Sequence, residues 1–188
     1  MKRIQFLIYC MSVILFFTAC GNKQKPSPRQ QVWGNNTVDT TMTVKKVEQK
    51  GDKVLVPFKR NSGDLAEVQV SLNGVPFNVW WDTGASMTCI SSLEFVKLMK
   101  DGKISEDDYV GNIGSTIADG SSTVEKVYKI SEIFILGQDN EHYLRLNDVY
   151  VAVAENLGAP LLLGQNVIKE LPAHTFDDNK EIIIFDKQ

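Results

Sequence analysis

Histidine is scarce in this sequence, and its two copies fall beside charged or loop residues at His142 and His174, outside any ligand spacing. Metal chemistry is therefore left without its usual imidazole donors. The acidic run Glu106-Asp107-Asp108 also lacks the spacing of a calcium loop and reads as a solvated turn. No block of one charge sign occurs: 20 Lys and Arg stand against 23 Asp and Glu, a formal net charge of −3. That balance gives no electrostatic footprint for nucleic acid. Cysteine is limited to Cys10, Cys20 and Cys89, too few and too dispersed for a disulfide framework. Repeats and low-complexity tracts are absent beyond one polar stretch near the N-terminus. Nothing in the pattern calls for a metal or an organic cofactor.

One apolar run exists, over residues 4–17, behind the positive Met1-Lys2-Arg3. It falls short of the roughly 20 residues that a membrane-spanning helix needs, and fits the h-region of a secretory signal. It ends in Phe17-Thr18-Ala19-Cys20-Gly21, which resembles the lipobox of bacterial lipoproteins, with Phe17 where leucine is usual. The resemblance implies cleavage after residue 19, lipidation of Cys20 and a mature chain held at a membrane by its N-terminal lipid. Removing Lys2 and Arg3 leaves 18 basic against 23 acidic residues, or −5. Cys89 then has no partner in an exported protein and, between Met87 and Ile90, reads as a small core residue. Gly21 after Cys20 lacks the aspartate of inner-membrane retention, which points to the outer membrane, facing the periplasm.

Residues 20–50 are expected to form a flexible tether, since the stretch over 21–40 is polar and has little surface to bury. Residues 51–188 then form one domain. Short β-type runs dominate it, at 54–58, 65–72, 75–81, 114–118, 121–130, 133–136, 144–154, 160–164, 174–176 and 182–185, with one more at 41–48. Asn73-Gly74 between two alternating runs predicts a tight hairpin, because both residues accept positive φ. Ser91-Ser92-Leu93-Glu94 predicts a capped helix over 93–100, with Gly102 past its end. A second short helix is expected over 166–171, and Pro57 points to an edge strand. Many strands with little helix predict an all-β, closed barrel.

The second arm of the hairpin, Asn78-Val79-Trp80-Trp81, runs straight into Asp82. A carboxylate at the end of so apolar a strand needs a hydrogen bond, a partner or a proton. Asp82-Thr83-Gly84-Ala85-Ser86 resembles the signature of aspartic proteases. About eighty residues on, Leu161-Leu162-Leu163-Gly164-Gln165-Asn166 resembles the second signature of that family, in which aliphatics and a glycine pack beneath the catalytic loop. Between them, Ile117-Ala118-Asp119-Gly120-Ser121 stands where the family has its flap hairpin. In this order and spacing the elements resemble the single-domain, retropepsin-like aspartic proteases and their bacterial relatives.

The resemblance implies an aspartic endopeptidase with a retropepsin-like closed β-barrel of short strands, a flap hairpin and one or two short helices. Asp82 is then the catalytic carboxylate. Thr83 reaches across a dimer axis, and Gly84 lets backbone approach the carboxylates and the substrate. Ala85 and Ser86, with Ile117, Ala118, Asp119, Gly120 and Ser121 of the flap, line the substrate. Leu162, Leu163 and Gly164 support the site. Alanine at position 85, where pepsin-like enzymes carry a hydroxyl, implies activity reaching toward near-neutral pH. Only one Asp-Thr-Gly is present, whereas the family's chemistry uses two carboxylates about one water. A homodimer with one Asp82 from each copy follows. The family's use of chain termini in the dimer sheet would place residues 181–185 there. The partners implied are a peptide or protein substrate, a second copy of the chain and a membrane. The rival reading is an inactive barrel of the same fold that binds peptides or an envelope protein.

Overall fold

The computed structural model describes residues 44, 46–116 and 122–187. Their strands join in one 11-stranded sheet. Alternation drives the first half: β3 (Ala66–Leu72) turns Ala66, Val68, Val70 and Leu72 inward, and β4 (Val75–Trp81) returns against it. Asn73 and Gly74 join them at φ 48° and 85°, the left-handed pair that the hairpin required. β5 (Thr88–Ser91) leads into helix α1 (Ser92–Lys100). Ser91 accepts the Leu93 N–H at 3.1 Å and also bonds the Glu94 carboxylate, so the expected cap forms. Past the helix end, Gly102 sits at φ 64° while the Lys103 N–H reaches back to the Leu98 carbonyl.

β6 (Tyr109–Thr116) and β7 (Ser122–Leu136) are the arms of a long hairpin, preceded by a 3₁₀ turn at Glu106–Asp108. β7 runs through residues 131 and 132 without the expected break, because Glu132 stays in register opposite Asn147 of β8 (Tyr143–Ala154). β9 (Leu162–Leu163) and helix α2 (Gln165–Ile168) follow, then β10 (His174–Asp177) and β11 (Ile182–Asp186). β9 and α2 are shorter than their aliphatic runs suggest, since each is a short insert between other elements.

Pairings β3–β4, β4–β9, β9–β5, β5–β8, β8–β7 and β7–β3 close a ring of strands. Its interior is aliphatic, with Val70, Ile130, Leu146, Val149, Leu163 and Val167 all buried. At roughly 1.5–3 kcal/mol for each such side chain, this core supplies most of the drive to fold.

Three expectations change. β1 (Lys46–Lys50) lies inside the stretch expected as tether, paired residue for residue with Tyr143 to Asn147 of β8. It overlaps the β-type run expected over 41–48, and the bonds that make it are backbone bonds. Pro57 is not on an edge. β2 (Lys53–Arg60) pairs with β11 up to Pro57 and with β3 from Phe58, so the proline marks the handover. Gln69 is next in register on β3, and Pro57 has no N–H to offer it. Finally, β11 lies between β10 and β2 of its own chain, with both edges occupied, so 182–186 cannot pair directly with a partner's strand.

Candidate active site

β4 ends at Trp81, and the chain turns sharply over residues 82–86 before β5 begins. The turn is held from beneath by β9 and α2. β9 slots between β4, to which it is parallel, and β5, to which it is antiparallel. The Asp82 N–H bonds the Leu163 carbonyl at 3.1 Å, and the Ala85 N–H closes the turn on the Asp82 carbonyl at 3.3 Å. The N–H groups of Gln165 and Asn166 bond the Ala85 and Ser86 carbonyls at 2.9 and 3.1 Å. The Gln165 side-chain amide donates to the Thr83 carbonyl at 3.1 Å. Thus the backbone of Asp82, Thr83, Ala85 and Ser86 is tied to one short segment, residues 163–166.

The carboxylate itself is half-buried, and its Oδ1 accepts the Gly84 N–H at 2.8 Å. A Cβ at residue 84 would stand 3.1 Å from that same oxygen, so glycine keeps the carboxylate uncrowded. Thr83, Gly84 and Ser86 are exposed, and Ala85 is half-buried. A hydrogen-bonded carboxylate beside an open surface answers the question that the apolar strand raised.

Below the turn lies a buried polar network that the sequence reading did not find. Asn166 Oδ1 accepts both the Thr88 N–H at 2.7 Å and the Thr88 hydroxyl at 2.9 Å. The same hydroxyl accepts the Gly164 N–H at 3.1 Å, and Asn166 Nδ2 donates to the Tyr150 carbonyl at 2.8 Å. Both side chains are buried, so each bond replaces one that water can no longer make. The only sequence signal was an asparagine in an aliphatic stretch, and its partner lies 78 residues away. Gly164 is fixed by space: a Cβ there would fall 2.4 Å from the Met87 carbonyl carbon and oxygen.

Other residues singled out in sequence take structural places. Trp81 is buried, with its ring 5.1 Å from His174 and 5.7 Å from Phe176. Trp80 is half-buried and donates its indole N–H to Glu67 at 3.3 Å. His142 bonds Asp139 through its ring Nδ1. Among the described residues no cluster of potential metal ligands occurs. Cys89 packs with Ile113, Val127 and Ala152; burial above all, helped by the charge of Glu125, pushes its thiol up to about 11. A thiol so protonated is a poor nucleophile. Leu162 and Leu163 pair with Trp80 and Trp81 and, with Gly164, lie under the turn, whereas Ile117 to Ser121 and Cys20 lie outside the described residues.

Residues 68–170 match the family model described as "gag-polyprotein putative aspartyl protease", a span that holds the turn, both hairpin arms and the supporting segment. No curated protein matches the chain. Among solved structures, a retropepsin-like aspartic protease from Rickettsia conorii is similar at 15% identity, over 75% of this chain and 92% of that one, with a TM-score of 0.47. The EIAV protease complexed with the inhibitor HBY-793 is similar at 17% identity, over 60% and 92%, with a TM-score of 0.34. A structure titled edgp is similar at 12% identity, over 75% and 47%, with a TM-score of 0.45. The assignment rests on the family model, which spans more than half of the sequence and includes the Asp82 turn: the chain belongs to the gag-polyprotein aspartyl protease family.

Proposed function

We propose that this protein is an aspartic endopeptidase that works as a homodimer, with one Asp82 from each copy bracketing a single water. The observation that carries the reading is Asp82 itself, half-buried at the end of β4 with one oxygen held by the Gly84 N–H. Its turn is fixed along most of its backbone by residues 163–166. A rigid carboxylate on an open surface is suited to face a second one. Two such groups share a proton in aspartic proteases generally, because both cannot ionise cheaply at close range. The ionised member takes a proton from water as it attacks the scissile carbonyl. The protonated member donates to the carbonyl oxygen, and the pair later hands a proton to the leaving amine. Exposed Thr83 and Gly84 are available to meet the partner turn and the peptide. The arms β6 and β7 lead to residues 117–121, the stretch that the family resemblance assigns to covering an extended substrate.

The substrate class is extended segments of envelope or exported proteins, and the enzyme is held near them by a lipid on Cys20, in the outer membrane. Support for that placement is the sequence Ala19-Cys20 behind the short apolar run. Incubation of the full chain with a mixed peptide library tests the activity. Cleavage by wild type that falls at least ~10³-fold in Asp82→Asn is the expected result. Peptide binding without cleavage in wild type would replace the enzyme with a binding module. Fatty-acid labelling lost in Cys20→Ala tests the anchor.

A further inference from the structure

One edge of β8 belongs to β7, and the other is shared. On the shared edge Tyr143 to Asn147 pair with β1, and Val151 to Ala154 pair with β5. Between these two ladders the Tyr150 carbonyl accepts the Asn166 amide at 2.8 Å, the bond that ties β8 to the support of the Asp82 turn. Asn147, opposite Lys46, lies three residues from Tyr150, or ~10 Å of strand. The stretch between them is the weak point of β8. Asp148 stands there at φ 54°, with Lys129 at 3.6 Å, and the ladder with β7 passes from Asn147 to Val149 without pairing it. A left-handed aspartate in a strand persists only where its surroundings hold it. On one side of the break that hold is Asn166 and β5; on the other it is β1.

We propose that β1 is a positioning strand for the active site: by holding the first half of β8 it fixes the Tyr150 carbonyl, and through Asn166 it fixes the Asp82 turn. The consequence for cleavage rests on the function proposed above, whereas the mechanical link does not. β1 is fastened along its whole length. Val44 just before it is buried in the core, and Val47 packs against the same core. Glu48 accepts the Tyr143 hydroxyl at 3.3 Å and pairs with Arg145 at 3.7 Å. Gly51 closes the end at φ 100°, where a Cβ would run into the His142 ring. Yet none of the pairings that close the ring of strands involves β1. Lifting it therefore leaves the ring closed and loosens the site, so a segment expected as the end of a tether sets whether the enzyme works.

The test uses the full chain. Glu48→Pro with Gln49→Pro lifts β1, because one of two neighbouring residues turns its N–H to β8 and proline has none. In this variant kcat per folded molecule should fall at least ~10-fold, with KM within ~2-fold of wild type. The Thr88 amide, which Asn166 holds, should exchange with solvent at least ~10-fold faster. Gly51→Ala is the gentler release and should move both readings the same way. Glu48→Cys with Arg145→Cys stand opposite in register, ~4.5–5.5 Å apart at Cα, and can close a disulfide. Added to Gly51→Ala, the closed disulfide, verified by mass, should restore both readings, and reduction should abolish them again. Wild-type kcat and Thr88 exchange in the proline variant overturn the proposal, and so does a loss in Gly51→Ala that the closed disulfide leaves unrepaired. If the proline variant does not fold, Gly51→Ala with and without the disulfide decides alone. Wild type that cleaves no peptide overturns the function proposed above, and Thr88 exchange still decides the link.

Discussion

On the side of α2 and β5, the Asp82 turn rests on hydrogen bonds: four backbone groups reach residues 163–166, and the buried Thr88–Asn166 pair lies below them. On the other side the anchor is a stack of rings, with Trp81 against His174, Phe176 and Phe185. The two supports differ in what they fix. Hydrogen bonds have narrow optima of distance and angle, so the first support sets where the carboxylate stands. Ring packing is worth several kcal/mol but tolerates small shifts, so the second gives stability and a place for β10. In the proposed dimer, a site that meets its own copy needs both precision in the turn and strength in the strand that delivers it.

Substitutions can separate the two supports, and the largest effect is expected at Gly164. Gly164→Ala forces a methyl into the Met87 carbonyl and should cost about 3 kcal/mol or more in urea denaturation, with cleavage lost. Next comes Asn166→Ala, which strands the buried Thr88 N–H and the Tyr150 carbonyl. A loss of about 2–4 kcal/mol is expected, with kcat falling further than that loss explains. Trp81→Leu should cost a similar ~2–3 kcal/mol while kcat per folded dimer changes little. Equal kcat losses in Asn166→Ala and Trp81→Leu would erase the distinction between the supports. Gln165→Ala is milder: it releases the Thr83 carbonyl and should lower kcat several-fold while stability moves by ~1 kcal/mol or less.

The smallest effect lies away from the site. The Asp139 carboxylate is held well below the usual carboxylate range, first by the His142 backbone N–H, then by its ring and by the Glu141 N–H. Because its folded value lies below the unfolded one, its stabilisation is complete above the ordinary carboxylate range and fades as pH falls through the folded value. Asp139→Asn should therefore lower the melting temperature slightly at pH 7, and the gap to wild type should close toward pH 2.

Much of this was legible in sequence where the signal is local. Asn73-Gly74, the Ser91 cap and the Asp82 turn each declare themselves within a few residues, because the backbone conformations involved admit few side chains. The supporting aliphatics at Leu162 and Leu163 were legible through the family pattern. What stayed hidden depends on distant partners. Asn166 has meaning only opposite Thr88, and Pro57 reads as an edge until β2 is seen to change partners. The enclosure of β11 by β10 and β2 was invisible for the same reason, since strand order is a property of the assembled sheet.

The measurement that bears most directly on the shared site is subunit mixing. A fixed amount of wild type is co-refolded with an equal amount of Asp82→Asn, and peptide cleavage is compared with wild type refolded alone. If each site takes one carboxylate from each of two chains, random pairing should cut the cleavage rate to about half, and excess variant should drive it toward zero. A rate that stays proportional to wild-type chain, whatever the amount of variant, would mean that one chain carries a whole site.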